Sequence, residues 1–239
     1  MIDVKDLNLT LNGKDILQGI SFHLEAKTPL AILGKSGSGK TVLIKTILGL
    51  FVPDRGSISI DGVNMLVDSA EADQIRKRCA MVFQNAALLD SYTVYQNVSL
   101  PLYERHANEE SFIRSKSMEA LALVGLESVA EQLPAELSGG MRKRVGIARA
   151  LVYDPEYIIF DEPVSGLDPI TRQEIMRYII GIINLHNRTV ITITHDIGEL
   201  GSICERVIYI SAGRMIFNGM YSELEHQDNE EIRNFLRNA

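Results

Sequence analysis

The chain is 239 residues long, 46% hydrophobic and 23% charged, with a formal net charge of −7 at pH 7. Its length allows one large α/β domain or a core with a modest subdomain, and its apolar content is ordinary for a globular protein with a real core. The acidity disfavours a nucleic-acid-binding protein, because such proteins need a basic face to displace counterions from phosphate.

The first elements in chain order are predicted to be half-buried antiparallel strands. The opening segment MIDVKDLN is acidic rather than basic and then apolar, so no secretory signal is expected. Leu7, Leu9 and Leu11 alternate with polar residues, and so do Ile58 and Ile60 before an Asp-Gly turn. This alternation predicts an N-terminal antiparallel β subdomain.

Three short, continuously apolar runs predict a second, mainly parallel sheet. They are PLAIL before Gly34, YIIF before Asp161 and VITIT before His195. Such runs suit central strands that are covered on both faces. Helical patterns follow two of them, over residues 40 to about 50 and about 171 to 185. The alternation of strand and helix predicts an α/β fold.

Between about Gln84 and Asp154 the pattern of apolar residues becomes helical, which predicts an inserted α-helical subdomain over residues 85–154. Residues 1–84 and 155–220 would form the core with its antiparallel β subdomain, and 221–239 a charged helical tail, all within a single domain of 1–239. No apolar run approaches the about 20 residues of a membrane span, so we expect a soluble chain. Cys79 and Cys204 have no metal or redox spacing and suit free thiols in a reducing cytosol.

The sequence GKSGSGKT fits the phosphate-loop pattern G-x-x-x-x-G-K-[ST] and stands between an apolar strand and a helix, as that motif requires. Its glycines let successive N–H groups point at an anion, and the helix adds its positive dipole end. Lys40 supplies a charge for the β- and γ-phosphates, and Thr41 a hydroxyl for Mg²⁺. The predicted ATP-binding residues are Gly34, Lys35, Ser36, Gly37, Ser38, Gly39, Lys40, Thr41 and Val42.

A phosphate loop of this kind needs a carboxylate at the end of another buried strand, and YIIFDEP supplies two. We expect Asp161 to hold Mg²⁺ through water and Glu162 to polarise the attacking water. With these parts alone the chain could be a small-molecule kinase, a GTPase or an ATPase.

The segment LSGGMRKR contains a second glycine-rich loop. Ser138 can cap the helix that follows, while Gly139 and Gly140 bare the backbone at its positive end, which makes a second anion cradle. Taken alone, LSGG is equally consistent with a flexible capped turn. The basic residues after it are expected to form a solvated helix face: Arg142, Lys143, Arg144 and Arg149.

In their order, these motifs resemble the nucleotide-binding subunit of ABC transporters over nearly the whole chain. The matching segments are GKSGSGKT, MVFQN, LSGGMRKRVGIARAL, YIIFDEP, SGLDP and ITITHD. The resemblance implies a P-loop NTPase core of ABC type, ATP and Mg²⁺ as cofactors, and ATP hydrolysis. It also implies a head-to-tail homodimer, in which Ser138, Gly139 and Gly140 of one subunit close over the ATP that the other's phosphate loop holds.

The same resemblance assigns roles to three more residues. Gln84 would sense Mg²⁺ and the attacking water and relay the state to a membrane partner, and His195 would contact the γ-phosphate beside the catalytic Glu162. Asp168 in SGLDP would reach across the dimer interface, although a simple turn explains that segment equally well. The family's early-strand aromatic residue for adenine is missing, and Leu9 or Leu11 stands in its neighbourhood.

The segments LSGGMRKRVGIARAL, FQNAALLDSYTVYQNVSLPL and DEPVSGLDPIT are similar to the ATPase of the Mla lipid-asymmetry system. This finer resemblance implies phospholipid transport between the inner and outer membranes. Its partners would be an integral membrane permease, a small regulatory subunit and a periplasmic substrate-binding protein, with no nucleic acid. The chain would then lie at the cytoplasmic face of the inner membrane, held peripherally by its permease.

Three alternatives stay open at this point. One is an ABC transporter ATPase for an ion, amino acid or drug; the others are a non-transport ABC ATPase and a P-loop metabolite kinase. The apolar residues after Gln84 have two readings as well, because they can line a docking groove for the permease or belong to the core of the helical subdomain. They are Leu88, Leu89, Tyr92, Val94, Tyr95 and Val98.

Overall fold

The computed structural model of the chain describes residues 1–105, 109–184, 187–195 and 204–237. The strands in these ranges are β1 Ile2–Leu11, β2 Lys14–Leu24, β3 Pro29–Leu33, β4 Arg55–Ile60, β5 Val63–Asn64, β6 Cys79–Val82, β7 Tyr157–Asp161, β8 Thr189–Ile193, β9 Arg206–Ser211 and β10 Arg214–Met220. The helices are α1 Lys40–Ile47, α2 Ala70–Lys77, α3 Val94–Tyr103, α4 Glu110–Leu123, α5 Gly139–Leu151, α6 Pro169–Asn184, α7 Tyr221–Leu224 and α8 Glu230–Arg237.

A six-stranded sheet forms the centre of the molecule, in the order β10-β9-β3-β8-β7-β6. Neighbouring strands from β9 to β6 run parallel, and β10 pairs antiparallel with β9. The three apolar runs PLAIL, YIIF and VITIT are β3, β7 and β8, side by side and buried. The predicted α/β fold with a mainly parallel sheet is therefore confirmed. The parallel pairing brings the carboxyl ends of β3, β7 and β8 to one edge.

A second sheet, β2-β1-β4-β5, is antiparallel, as the alternating leucines and isoleucines predict. Leu7 and Leu9 face inward and are at most 2% exposed. They share an apolar cluster with Leu43 and Ile44 of α1 and with residues of β3 and β8. This packing fixes the position of α1, and thus of the loop that precedes it, between the two sheets.

Three helices, α3, α4 and α5, pack on one another in the interval between β6 and β7. Their mutual faces are fully buried at Val98, Ile113, Leu121 and Val145. The buried Asn97 accepts a hydrogen bond from Leu89 N and donates to the carbonyls of Leu89, Tyr92 and Thr93, which pins the loop before α3. The helices lie where the sequence predicts a helical insertion; its treatment as a separate subdomain stays a prediction.

The core reading of the apolar residues after Gln84 holds for part of the set, and a docking groove for the permease stays a prediction. Val94 and Val98 are 0% exposed and belong to the core, and Leu88 and Tyr95 pack against it. Leu89 and Tyr92 are 42% and 38% exposed. Tyr92 and Tyr95 line a surface cavity of about 550 Å³ beside α3.

The expectation of a solvated basic face on α5 is wrong for three of its four residues. Lys143, Arg144 and Arg149 are only partly exposed, and Arg142 alone is exposed. Arg144 donates to Val124 O, and Arg149 donates to Ala86 O and Ala87 O. Long side chains with several donors reach main-chain carbonyls of neighbouring loops, so these charges lie against the protein instead of in water.

The tail is helical, as expected, and α8 packs on the central sheet. The Phe235 ring meets Tyr209 of β9 edge to face, with ring centroids 5.0 Å apart. Ser211 donates from its hydroxyl to the Glu231 carboxylate at 2.7–2.8 Å. None of the helices in the described ranges is long and apolar enough to cross a membrane.

Candidate active site

The glycine-rich loop of residues 34–39 joins the end of β3 to the first turn of α1. Gly34 has a φ of 144°, and a Cβ there would lie 2.1 Å from the carbonyl oxygen of Ile210, so only glycine fits. Gly39 stands before α1 with a φ of 106°. The loop thus closes tightly against β9, and its residues Lys35, Ser36, Gly37 and Gly39 line one cavity at the start of α1, where a helix favours an anion.

Lys40 crosses this loop. Its Nζ donates to Gly34 O at 2.6 Å and to Lys35 O at 3.0 Å, and the residue is only 5% exposed. Burial lowers the pKa of Lys40, while the carboxylates of Glu162 and Asp161 oppose the decrease. A buried ammonium group therefore stands within the loop where the phosphates are expected to bind.

Thr41 lines the cavity at the start of α1, and Asp161 at the end of β7 lies against it. The Thr41 hydroxyl lies 2.9 Å and 3.1 Å from the two carboxylate oxygens of Asp161, which is 5% exposed. Burial raises the pKa of Asp161, and the hydrogen bond from Thr41 opposes that increase. A hydroxyl and a carboxylate are hard oxygen donors, which Mg²⁺ takes together with water and phosphate oxygens. These two residues fit Mg²⁺ and would hold it.

Glu162 and His195 form a close pair at the carboxyl ends of β7 and β8. His195 Nδ1 lies 2.7 Å from Glu162 Oε2, and the carboxylate side chain is 13% exposed. Glu162 has a φ of 50°, a left-handed conformation uncommon for a side-chain-bearing residue, and its N–H donates to Ile193 O. The main chain thus turns the carboxylate toward the cavity and the imidazole.

A cavity of about 780 Å³ joins most of these groups; of the predicted phosphate-loop and Mg²⁺ residues, Gly34, Ser38 and Asp161 do not line it. It is lined by Ile16, Lys35, Ser36, Gly37, Gly39, Lys40, Thr41, Val42, Gln84, Glu162, His195, Asn234 and Phe235. The sequence prediction missed Ile16, Asn234 and Phe235. The sequence prediction also placed Leu9 or Leu11 near the adenine base, but neither residue lines this cavity. Leu9 is a core residue at 2% exposure, and Ile16 of β2 lines the cavity instead.

Gln84 lines the same cavity but points elsewhere. Its amide nitrogen donates to Ser165 Oγ at 3.1 Å, so the side chain is engaged with the segment after Glu162 and not with Thr41 and Asp161. Its assignment to the Mg²⁺ site stays a prediction. The contact does place Gln84 beside the chain that carries the candidate catalytic carboxylate.

The LSGG loop is built as predicted but lies apart from this cavity. Ser138 caps α5 by accepting a hydrogen bond from Met141 N, and Ser138 and Gly139 are exposed. Among the described residues that line the cavity, none comes from the LSGG segment. One copy of the chain therefore presents the second cradle to its surroundings and not to its own phosphate loop.

Asp168 caps α6. Its carboxylate accepts hydrogen bonds from Ile170 N, Thr171 N and Thr171 Oγ1, the last at 2.6 Å, and these bonds lower the pKa of Asp168. The interpretation of SGLDP as a simple turn therefore holds within one chain. A role across a dimer interface stays a prediction.

The backbone of Gly140 packs closely against α6, since a Cβ at this position would lie 2.3 Å from Thr171 Cγ2. We expect Gly140→Ala to lower the free energy of unfolding by about 1–3 kcal/mol, because Thr171 must move and lose its bond to Asp168. Gly139→Ala is the matched control: its nearest neighbour is an Arg142 tip at 4.0 Å, and alanine favours the helix. Denaturant unfolding of both variants gives the comparison, and equal stabilities would contradict the close contact.

The chain was also compared with known proteins. The ABC transporter family model matches residues 17–165. A probable ribonucleotide transport ATP-binding protein of Mycobacterium leprae is 37% identical over 236 residues, which are 98% of this chain and 68% of the relative. A methionine import ATP-binding protein of Vibrio vulnificus is 37% identical over 245 residues, with 100% of this chain and 71% of the relative covered. The chain thus spans about two thirds of these relatives' length.

Solved structures give the same result for the fold. The dimeric ATP-binding cassette MJ0796, in a post-hydrolysis state bound to ADP and Pi, matches with a TM-score of 0.83 and 30% identity, over 92% of this chain and 98% of that one. The structure of cbiO1 of Clostridium perfringens, part of the ABC transporter complex cbiONQ, matches with a TM-score of 0.82 and 32% identity, over 95% of this chain and 90% of that one. With its phosphate loop, buried Lys40 and Glu162 at one cavity and Asp161 beside Thr41, the chain belongs to the ABC transporter family as an ATP-binding, ATP-hydrolysing subunit.

Proposed function

We propose that two copies of this chain bind two ATP molecules head to tail and power a membrane permease. The observation that carries this proposal is the separation of the phosphate loop from the LSGG loop. The phosphate loop lines a cavity that the exposed Ser138 of the same chain does not line. A second copy, turned by half a rotation, would supply Ser138, Gly139 and Gly140 to that cavity. The dimeric form of a similar cassette with ADP and Pi supports this arrangement.

Each group then has a task in hydrolysis. Lys40 and the loop N–H groups would bind the β- and γ-phosphates. Thr41 and Asp161 would hold Mg²⁺, which when bound would supply positive charge beside the transferred phosphoryl group. Glu162 orients the attacking water, and His195 steadies that carboxylate through its 2.7 Å contact while it faces the γ-phosphate. Loss of that phosphate removes these contacts, which lets the dimer reopen and move the permease.

A crosslink between the phosphate loop of one subunit and the LSGG loop of the other tests the proposal directly. Ser36→Cys and Ser138→Cys, combined with Glu162→Gln, place one thiol at each predicted partner position. We expect a short bifunctional thiol reagent to give covalent dimers with Mg²⁺ and ATP, in isolated protein or in the membrane complex. The same protein without nucleotide, and the single-cysteine variants, serve as controls. Nucleotide binding without any ATP-dependent dimer in either preparation would overturn the proposal.

The cargo is a separate question. The sequence resemblance to the Mla ATPase motivates phospholipid, but the similar proteins bear the names of ribonucleotide transport and methionine import. These names favour the alternative of another substrate, and two cargoes at the same 37% identity imply that the permease selects it. We therefore propose a small-molecule cargo other than phospholipid. Affinity isolation from membranes tests this: a co-purified permease enriched in bound phospholipid would restore the lipid alternative.

We also propose that Phe235, which lines the cavity together with Ile16, takes the place of the missing aromatic residue as an apolar contact for the adenine base. We expect Phe235→Ala to raise KM for ATP about threefold to tenfold with kcat unchanged, since aromatic contacts are worth about 0.5–1.5 kcal/mol. Binding of inorganic tripolyphosphate, which lacks a base, should not change. Leu236→Ala, which removes a neighbouring core contact away from the cavity, is the matched control. Equal KM values in the two variants would contradict the assignment.

A further inference from the structure

Lys143 stands in the second turn of α5, the helix that the Ser138 loop begins. Its Nζ lies 2.8 Å from Ser165 O, 2.9 Å from Pro163 O and 3.5 Å from Glu162 O. An ammonium group has three donors, and here all three face carbonyls of a single segment. The side chain is half buried, and burial lowers the pKa of Lys143 while the charge of Glu162 opposes this.

The segment that Lys143 holds is the one that directs the candidate catalytic carboxylate. Glu162 has its left-handed φ of 50° at the start of it, and Ser165 N donates back to Glu162 O at 3.3 Å. Carbonyl oxygens that converge in this way repel one another, and a cation between them removes the repulsion. Ser165 also accepts the hydrogen bond from Gln84. Lys143 therefore lies where α5, the Glu162 segment and Gln84 meet.

We propose that Lys143 is a positioning residue that makes the direction of Glu162 in one subunit depend on what its own Ser138 loop binds. The proposal rests on the head-to-tail function above, in which that loop contacts the partner's nucleotide. A shift of the rigid α5 on nucleotide contact moves Nζ, and with it the three carbonyls and the turn at Glu162. Hydrolysis at one site then responds to occupancy of the other through a link inside each subunit.

The link predicts an effect on cooperativity, which a merely structural lysine would not produce. We expect the unmodified protein to hydrolyse ATP with a Hill coefficient of about 2, and Lys143→Met to lower it measurably below that value, because the link inside each subunit is lost while closure on two ATP molecules remains. The kcat of Lys143→Met should fall by about tenfold or more, because a small misplacement of Glu162 suffices for such a loss. Its ATP affinity at low occupancy should not change, since Lys143 does not line the cavity.

The experiment compares steady-state hydrolysis over a range of ATP concentrations in three variants. Lys143→Met tests the link, and Lys143→Arg should restore part of the cooperativity because a guanidinium still donates to two carbonyls. Lys116→Met on α4, where the lysine side chain is 44% exposed and pairs with Glu119, controls for loss of a lysine. Thermal unfolding shows that each variant is folded. Lys143→Met with unchanged kcat and Hill coefficient, or with ATP affinity lost in proportion to kcat, would overturn the proposal.

Two further variants separate this outcome from failure of the proposed function. Glu162→Gln with intact Lys143 should form an ATP-dependent dimer, and Glu162→Gln combined with Lys143→Met should form it as well, because Lys143 acts after the subunits close. If neither dimerises, in isolated protein or in the membrane complex, the head-to-tail function is wrong. If the first dimerises and the second does not, Lys143 builds the interface and is not a link to Glu162.

Discussion

Glu162→Gln is expected to lower the rate of ATP hydrolysis by roughly 10²- to 10⁴-fold, the contribution of a well-placed general base. Glutamine keeps the shape of the side chain but loses the negative charge that polarises water. The backbone turn at Glu162 and its N–H bond to Ile193 O do not depend on that charge, so the cavity should stay intact. Phosphate release measures the rate, and equilibrium titration with a fluorescent ATP analogue should show unchanged affinity.

The control for this variant is Glu174→Gln, which removes the same charge from the exposed side of α6. It should hydrolyse ATP at the normal rate. If Glu162→Gln turned over ATP as fast as Glu174→Gln, water activation would have to come from another group. A loss of nucleotide affinity in Glu162→Gln would instead place the carboxylate in binding and not in chemistry.

Lys40→Ala is the second substitution with a large expected effect, and it acts on binding. Lys40 is 5% exposed and held by the carbonyls of Gly34 and Lys35. Charge-assisted hydrogen bonds of this kind are worth about 1.5–3 kcal/mol, so ATP affinity should fall by about 10- to 150-fold. Hydrolysis should fall further, since the charge also stabilises the transferred phosphoryl group. Calorimetric titration with Mg²⁺ and ATP measures the loss.

Lys35→Ala gives the comparison within the same loop. Its side chain is 66% exposed, and its ammonium group lies 4.0 Å from Glu231 of the tail. Truncation should cause a smaller loss than Lys40→Ala, because an exposed charge is screened by water and salt. Equal losses from the two variants would mean that general positive charge, and not the buried position of Lys40, governs binding.

The motif residues were predictable from sequence because local order alone specifies them. Gly34 to Thr41 follow a strand and begin a helix, and Asp161 and Glu162 end another strand, so parallel pairing had to bring both groups to one edge. The short β6, CAMV, has no period to reveal it, and it was missed. Ile16 and Phe235 were missed for another reason, since only tertiary packing joins residues so distant in sequence.

The basic residues of α5 show where local pattern misleads. A run of arginine and lysine after a glycine pair predicts a solvated face, since charge usually remains in water. Lys143 and Arg149 instead bond to carbonyls of loops 20 and more positions away. Nothing in a single sequence indicates which distant carbonyls need a donor, and it is those unmet acceptors that decide the orientation of these side chains.

The cavity is lined in part by two residues that lie far apart in the chain, Ile16 of β2 and Phe235 of α8. During synthesis the phosphate loop and β3 leave the ribosome well before α8 does. A nascent chain can therefore bind an anion before it can enclose a base. Full recognition of a nucleoside triphosphate has to wait until α8 has been made and has docked.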